Sequence, residues 1–121
     1  MKDERYSRQT ILAEIGEEGQ EKMENSIIAV VGMGALGTVA AELLVRAGMG
    51  KLILIDRDIV EESNLQRQTL YGEEDMGRSK AAAAKERLEK INSTLTIEIH
   101  ALHLNAGNID VLKEANLILD C

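Results

Sequence analysis

Apolar and polar positions along this chain fall into two periods, and the elements follow from where one gives way to the other. Ser26-Ile-Ile-Ala-Val-Val31 is a continuous apolar run with four β-branched residues, the pattern of a buried strand. Gly32-Met-Gly-Ala-Leu-Gly37 follows without a gap. From Thr38 to Ala47 the period becomes helical. Leu36, Val39, Ala40, Leu43 and Ala47 share one side, Thr38, Glu42 and Arg46 make a thin polar side, and Gly48 is the natural C-cap. A helix so apolar is expected to be covered by more than the sheet. Lys51-Leu-Ile-Leu-Ile55 is a second strand, ending in Asp56-Arg-Asp58. Periodicity is then lost from Asp56 to Gly77, a connection long enough to be functional. Ser79 to Ile91 returns to a helix, with Ala81, Ala84, Leu88 and Ile91 as its inward stripe. Thr94 to Ile99 alternates as an edge strand does, Asn108 to Ala115 reads as a short helix, and Asn116 to Asp120 as a fourth strand. Ahead of the first strand, Tyr6, Ile11, Leu12 and Ile15 recur at helical spacing. They predict one or two short helices broken near Gly16 and Gly19.

This order predicts an α/β protein. A helical arm over residues 1–25 precedes a Rossmann-like, doubly wound parallel domain over residues 26–121. Right-handed crossovers give strand order 3-2-1-4. The switch point lies between the first and fourth strands, and a ligand belongs in the crevice beyond their carboxyl ends. The glycine turn, Asp120 and Cys121 all lie at that lip. The chain therefore stops at the rim of its own predicted site. We expect it to be the N-terminal part of something longer, with the domain truncated at its C-terminal end.

Composition narrows the picture. A length of 121 residues allows one domain. Two tyrosines are the only aromatics, so the core is built from aliphatic residues and Met. A net charge of −7 argues against a nucleic-acid partner, which requires a basic face. The single cysteine, Cys121, permits neither an internal disulfide nor a four-thiolate zinc site within this chain. No apolar run approaches eighteen residues, and the first residues lack the apolar stretch of a signal peptide. No membrane association is expected, and the cytoplasm is the expected compartment.

Strand, glycine turn, helix, strand and acidic end together make a nucleotide-binding context. Gly32 allows the tight turn, Gly34 lets backbone approach a phosphate, and Gly37 lets helix and strand pack closely. Free N–H groups at the helix start then face the anion. Asp56, nineteen positions after Gly37, most simply accepts hydrogen bonds from a ribose hydroxyl. That fits NAD and ATP equally. Asn64, Arg67 and Lys80 can converge on the same crevice, and two cations with an amide suit a triphosphate better than a pyrophosphate. Arg78 and Lys80 sit at a helix start, where the dipole disfavours cations by about 0.3–1 kcal/mol each. A basic residue kept there often serves an anion nearby. Arg5 and Arg8, three apart, share a helix face and read as a solvated face of a docking arm. His100 and His103 have no partner at metal-ligand spacing and read as structural or surface residues. Cys121 reads as strand-end packing, and Asp120 as a strand cap or an outer carboxylate.

Arg5-Tyr-Ser-Arg-Gln9, Gly32-Met-Gly-Ala-Leu-Gly37, Asp56-x-Asp58, Ser63-Asn-Leu-Gln-Arg-Gln68, Gly77-x-x-Lys80 and Leu119-Asp-Cys121 stand in one order and spacing. Together they resemble the ThiF/MoeB/HesA adenylyltransferases, prokaryotic relatives of ubiquitin-activating enzymes, over essentially the whole chain. The resemblance implies ATP and Mg²⁺ as cofactors and adenylylation of the C-terminal glycine of a ubiquitin-like sulfur-carrier protein ending in Gly-Gly. It gives Asp56 to the ribose and Gly34 with the following turn, including Ala35, to the phosphates. Ala35 stands where many members carry another glycine. Asp58 belongs to the same nucleotide-binding set. Asn64, Arg67 and Lys80 would contact the triphosphate, with Arg67 and Lys80 stabilising the transition state. Arg8 would reach into the partner's site in a homodimer, which would also cover the apolar helix. The family's magnesium aspartate is expected beyond Cys121, as are its zinc-binding Cys-x-x-Cys pairs, its carrier-binding sheet and its transfer cysteine. Two other readings remain: a nucleotide-binding or dimerising module that catalyses nothing, and an NAD-binding domain, which would leave Asn64, Arg67 and Lys80 unexplained.

Overall fold

Four short strands, each of four or five residues, pair in parallel in the order β3-β2-β1-β4 in the computed structural model, which describes residues 4–121. They are β1 (Ile27–Val31), β2 (Lys51–Ile55), β3 (Thr96–His100) and β4 (Leu117–Asp120). The chain is thus an α/β protein with the sheet order that its pattern predicts. Helix α3 (Ala35–Ala47) connects β1 to β2, and α4 (Lys80–Ile91) connects the second strand to the third. The first three residues of the arm predicted over 1–25 lie outside the described residues. The rest forms a 3-10 turn at Glu4–Tyr6, α1 (Ser7–Thr10) and α2 (Gly16–Glu24). Gly16, at φ +59°, opens α2, whereas Gly19 lies inside it.

Alternation along the strands sorts residues to two faces. Val30, Leu52, Leu54 and Ile97 pack with Ala41, Val45, Ala83, Ala84 and Leu88 of the helices into the main core. Ala29, Ile53 and Ile55 face the other way, under Leu102, Leu104, Val111 and Leu112. The predicted helix at Asn108–Ala115 is a 3-10 turn, Ile109–Leu112. The tighter turn brings Val111 and Leu112 down onto the sheet.

Three of the large apolar residues of α3 lie outside the side it buries. Gly37, Thr38, Ala41 and Val45 face inward, whereas Leu36, Val39 and Leu43 are exposed, Leu36 by 74%. Small residues let the helix lie close to the sheet. Thr38, expected on the polar side, is buried because its hydroxyl donates to its own Gly34 carbonyl at 2.6 Å. Among the described residues no helix is long and apolar enough to cross a membrane.

The arm is pinned to the body by a buried amide. Asn92 Nδ2 donates to the Tyr6 hydroxyl at 2.8 Å and to the Val45 carbonyl at 3.0 Å. Gln9 and Gln20 both donate to the Ala47 carbonyl. Gly48, at φ +89°, gives way to the Tyr6 ring: a Cβ there would lie 2.5 Å from it. Arg5 belongs to the 3-10 turn and donates to the Ile91 carbonyl, so it does not share a helix with Arg8.

Candidate functional site

β1 is flanked by β2 on one side and β4 on the other, so its carboxyl end is the switch point. The chain leaves it through Gly32 at φ +97°, and a Cβ there would sit 3.1 Å from the Cys121 carbonyl. Gly37 admits no side chain, since its Cβ would lie 1.8 Å from the Gly32 carbonyl oxygen. The close helix–strand approach is therefore real. Gly34 differs. Its φ is −94°, and the nearest atom to a Cβ would be the Gln68 amide nitrogen at 3.6 Å. The protein alone does not demand glycine there. Gly34 is the N-cap of α3 with no side-chain cap bond, and Ala35 opens the helix, so the N–H groups of its first turn have no partner within the helix.

Asp56 is held by the turn it faces. One carboxylate oxygen accepts from the Met33 N–H and the other from the Asp58 N–H, both at 2.7 Å. Each oxygen keeps a second lone pair. Tyr71 donates its phenol proton to the Met33 carbonyl at 2.6 Å. Burial, then the carboxylates of Asp56 and Asp75, pushes that phenol well above its ordinary range, so it stays a donor.

Two neighbouring cavities share Asp58. One, of about 230 Å³, is lined by Val31, Gly32, Asp56, Asp58, Leu102 and Leu104, among others. The second, of about 240 Å³, is lined by Asp58, Ile59, Glu61, Asn64 and Lys80. Asn64 is buried, and its Oδ1 accepts from the Glu61 N–H at 2.9 Å. Lys80 is 6% exposed, yet among the described residues its ammonium makes no hydrogen bond or ion pair. Its main-chain N–H donates to the Asp58 carbonyl at 3.0 Å, and Ser79 caps the helix by accepting from Ala82. A lysine in the first turn of α4, shielded and unpaired, is electrostatically disfavoured unless an anion joins it.

The other cation at that helix start is different. Arg78 pairs with the buried Asp75 at 3.0 Å and with Glu86 at 3.2 Å, and Asp75 also receives Arg87 and the Gly72 N–H. Arg78 thus anchors the connecting segment. Arg67 lines neither cavity; it is exposed, and its guanidinium donates to the Ser63 carbonyl at 3.0 Å. Arg8 is exposed on α1 and makes no hydrogen bond or ion pair among the described residues. Cys121 is exposed, its N–H bonded to Val31. The His100 ring bonds Glu98 at 2.6 Å, and its carbonyl accepts from the Asp56 N–H at 3.2 Å. Among the described residues no cluster of three or more His, Cys, Asp or Glu side chains could hold a metal ion.

Three features escaped sequence reasoning. Tyr71 carries no motif. Gln68 was visible only as the end of Ser63–Gln68. Leu102 and Leu104 alternate with His103 and Asn105 beyond β3, a signal that could have placed them against the sheet.

The ThiF family model matches residues 6–121. The chain is 47% identical over 119 residues to a Bacillus subtilis protein named sulfur carrier protein ThiS adenylyltransferase; the match covers 96% of this chain and 35% of that protein. Among solved structures, Escherichia coli tRNA N6-threonylcarbamoyladenosine dehydratase in complex with AMP superposes with TM-score 0.89 at 29% identity, covering 96% of this chain and 47% of that one. Escherichia coli MccB with ATP gives TM-score 0.78 at 32% identity, over 93% of this chain and 34% of that one. The chain therefore spans about a third to a half of the length of these relatives.

Proposed function

The chain belongs to the ThiF family, and on that premise we propose that it binds ATP at the carboxyl ends of β1 and β4. We further propose that the full-length protein uses this ATP to adenylylate the C-terminal glycine of a ubiquitin-like sulfur-carrier protein. The observation that carries the reading is the shielded, unpaired Lys80 beside Asn64 in a cavity that shares Asp58 with the glycine-turn lip. A relative named as an adenylyltransferase and neighbours solved with ATP or AMP support it.

The roles follow from chemistry. Asp56 retains lone pairs for a ribose hydroxyl, and Leu102 and Leu104 offer the base an apolar wall beside it. Gly34, Ala35 and Gly37 would turn the free backbone N–H groups of the α3 start to the phosphates, and Gly32, whose own N–H bonds the Ile55 carbonyl, would shape the turn beneath them. A carboxylate oxygen of the carrier attacks the α-phosphorus. The bond from that phosphorus to the bridging oxygen breaks, pyrophosphate leaves, and an acyl-adenylate forms. Lys80 and Arg67 would neutralise the charge that grows on the departing pyrophosphate, and Asn64 would orient it. A second copy laid over Leu36, Val39 and Leu43 would make a homodimer and could bring Arg8 to the partner's site.

ATP–pyrophosphate exchange by the full-length protein with a Gly-Gly-ended carrier tests the reading. Exchange should require the carrier and fall at least about tenfold in Arg67→Ala. Absence of exchange with every carrier tried, with Arg67→Ala and wild type alike, would sink it. One observation favours the narrower alternative of a binding module without catalysis: Arg67 lines neither cavity. ATP binding without any exchange would select it.

A further inference from the structure

Gln68 is the buried group for which the roles above leave no use. It is 4% exposed, and its Oε1 is the one buried side-chain polar atom without a hydrogen-bond partner among the described residues. Its amide nitrogen lies on the Gly34 side, 3.6 Å from where a Cβ of that residue would be. The backbone holds it firmly. The Gln68 N–H donates to the Asn64 carbonyl at 2.9 Å, and its own carbonyl accepts from the Tyr71 N–H at 3.2 Å. Gln68 is thereby fixed between a cavity residue and the residue that grips Met33.

Leaving such an amide oxygen unpaired is unfavourable, and an apolar side chain of the same shape would avoid that cost. The neighbouring buried polar groups have partners: Asn64 accepts from Glu61, Asp75 from two arginines, and Tyr71 donates to Met33. Beside Gln68 lies the uncapped N-terminus of α3, thirteen residues long. Two independent features, an uncapped helix start and an amide nitrogen that makes no hydrogen bond among the described residues, therefore meet at Gly34.

We propose that Gln68 contacts the nucleotide directly, its side-chain amide donating a hydrogen bond to a phosphate oxygen seated at Gly34. The inference rests on the ATP reading above and adds a residue to it. In this orientation the amide turns its donor nitrogen, and not Oε1, toward Gly34, which is the end that a phosphate oxygen can pair with. Being neutral, the amide gives direction to the phosphate without adding to the charge of Lys80. A carboxylate of the same shape would repel the same oxygen.

The test is calorimetric titration of Mg-ATP and, separately, adenosine into wild type, Gln68→Met and Gln68→Glu, with thermal midpoints taken without ligand. Gln68→Met should keep or raise the midpoint, bind ATP about tenfold more weakly, and bind adenosine as wild type does. Gln68→Glu should weaken ATP further and again spare adenosine. Should Gln68→Met not fold, the ratio of ATP to adenosine affinity in Gln68→Glu decides. Wild-type ATP affinity in Gln68→Met, or equal losses of ATP and adenosine, overturns the contact while leaving the ATP reading standing. A wild type that binds no ATP overturns that reading and the contact with it.

Discussion

At the first two residues of the glycine turn, Gly32 and Met33, the polar groups find partners inside the protein. Gly32 N–H bonds the Ile55 carbonyl, Met33 N–H bonds Asp56, and the Met33 carbonyl receives the Tyr71 hydroxyl. On the segment from Asn64 to Lys80 several do not. The Lys80 side chain, largely buried on a cavity wall, makes no hydrogen bond or ion pair among the described residues, and the Gln68 Oε1 is buried without a partner. The first region is completed by folding. The second holds polar groups whose burial only a ligand would compensate. Damage to the first should therefore register as lost stability, and damage to the second as lost binding.

The largest expected effect lies at the turn. Gly37→Ala places a methyl group 1.8 Å from the Gly32 carbonyl, and helix and strand must separate. A loss of about 3 kcal/mol or more is expected in denaturant unfolding. A wild-type unfolding midpoint would show that the turn is not packed as described.

Tyr71→Phe sharpens the boundary, since Tyr71 touches both regions. Removing the bond to the Met33 carbonyl should cost about 1 kcal/mol of stability. ATP affinity should fall only as far as the turn loosens. A large affinity loss with unchanged stability would move Tyr71 into the binding set.

The smallest effect belongs to an ion cluster on the sheet whose side chains line neither cavity of the candidate site, Lys51, Glu98 and Glu114. A hydrogen bond from His100, then one from Lys51, holds the Glu98 carboxyl below its usual 4.5. Hydrogen bonds to Glu114 and then Glu98 raise Lys51 above 10.5. A carboxyl with a lowered folded value adds stability above about pH 4.5 that disappears as pH falls through the lowered value. A raised lysine adds stability below 10.5 that disappears as pH rises through its raised value. Glu98→Gln should thus cost roughly 0.5 kcal/mol at neutral pH and little at strongly acidic pH, with ATP affinity untouched. Urea unfolding at both pH values checks it. A cost that persists in acid would assign Glu98 a packing role instead.

Much of this was legible in the residue pattern. Lys51–Ile55 forms a strand with the bounds its apolar run dictates, and Gly37 is small for the reason its place in the turn implies. Strand order followed from the handedness of crossovers. The pattern misled on α3, because hydropathy ranks Leu36, Val39 and Leu43 above the Gly37, Thr38 and Ala41 that the sheet selects for closeness. It was silent on Tyr71 and on the partnerless state of Gln68. Both depend on segments distant in sequence coming together, which no local period encodes. Arg78 and Lys80 look alike in sequence, and only the buried Asp75 separates the structural cation from the unpaired one.

The most direct test of the division between a finished turn and a waiting segment is one titration. Mg-ATP and NADH are titrated into wild type and Lys80→Met, and unfolding is followed in parallel. Wild type should bind ATP more tightly than NADH. Lys80→Met should lose ATP affinity by about tenfold to a hundredfold while unfolding no earlier. Equal ATP affinity in the two proteins, or tighter binding of NADH than of ATP, would contradict the account.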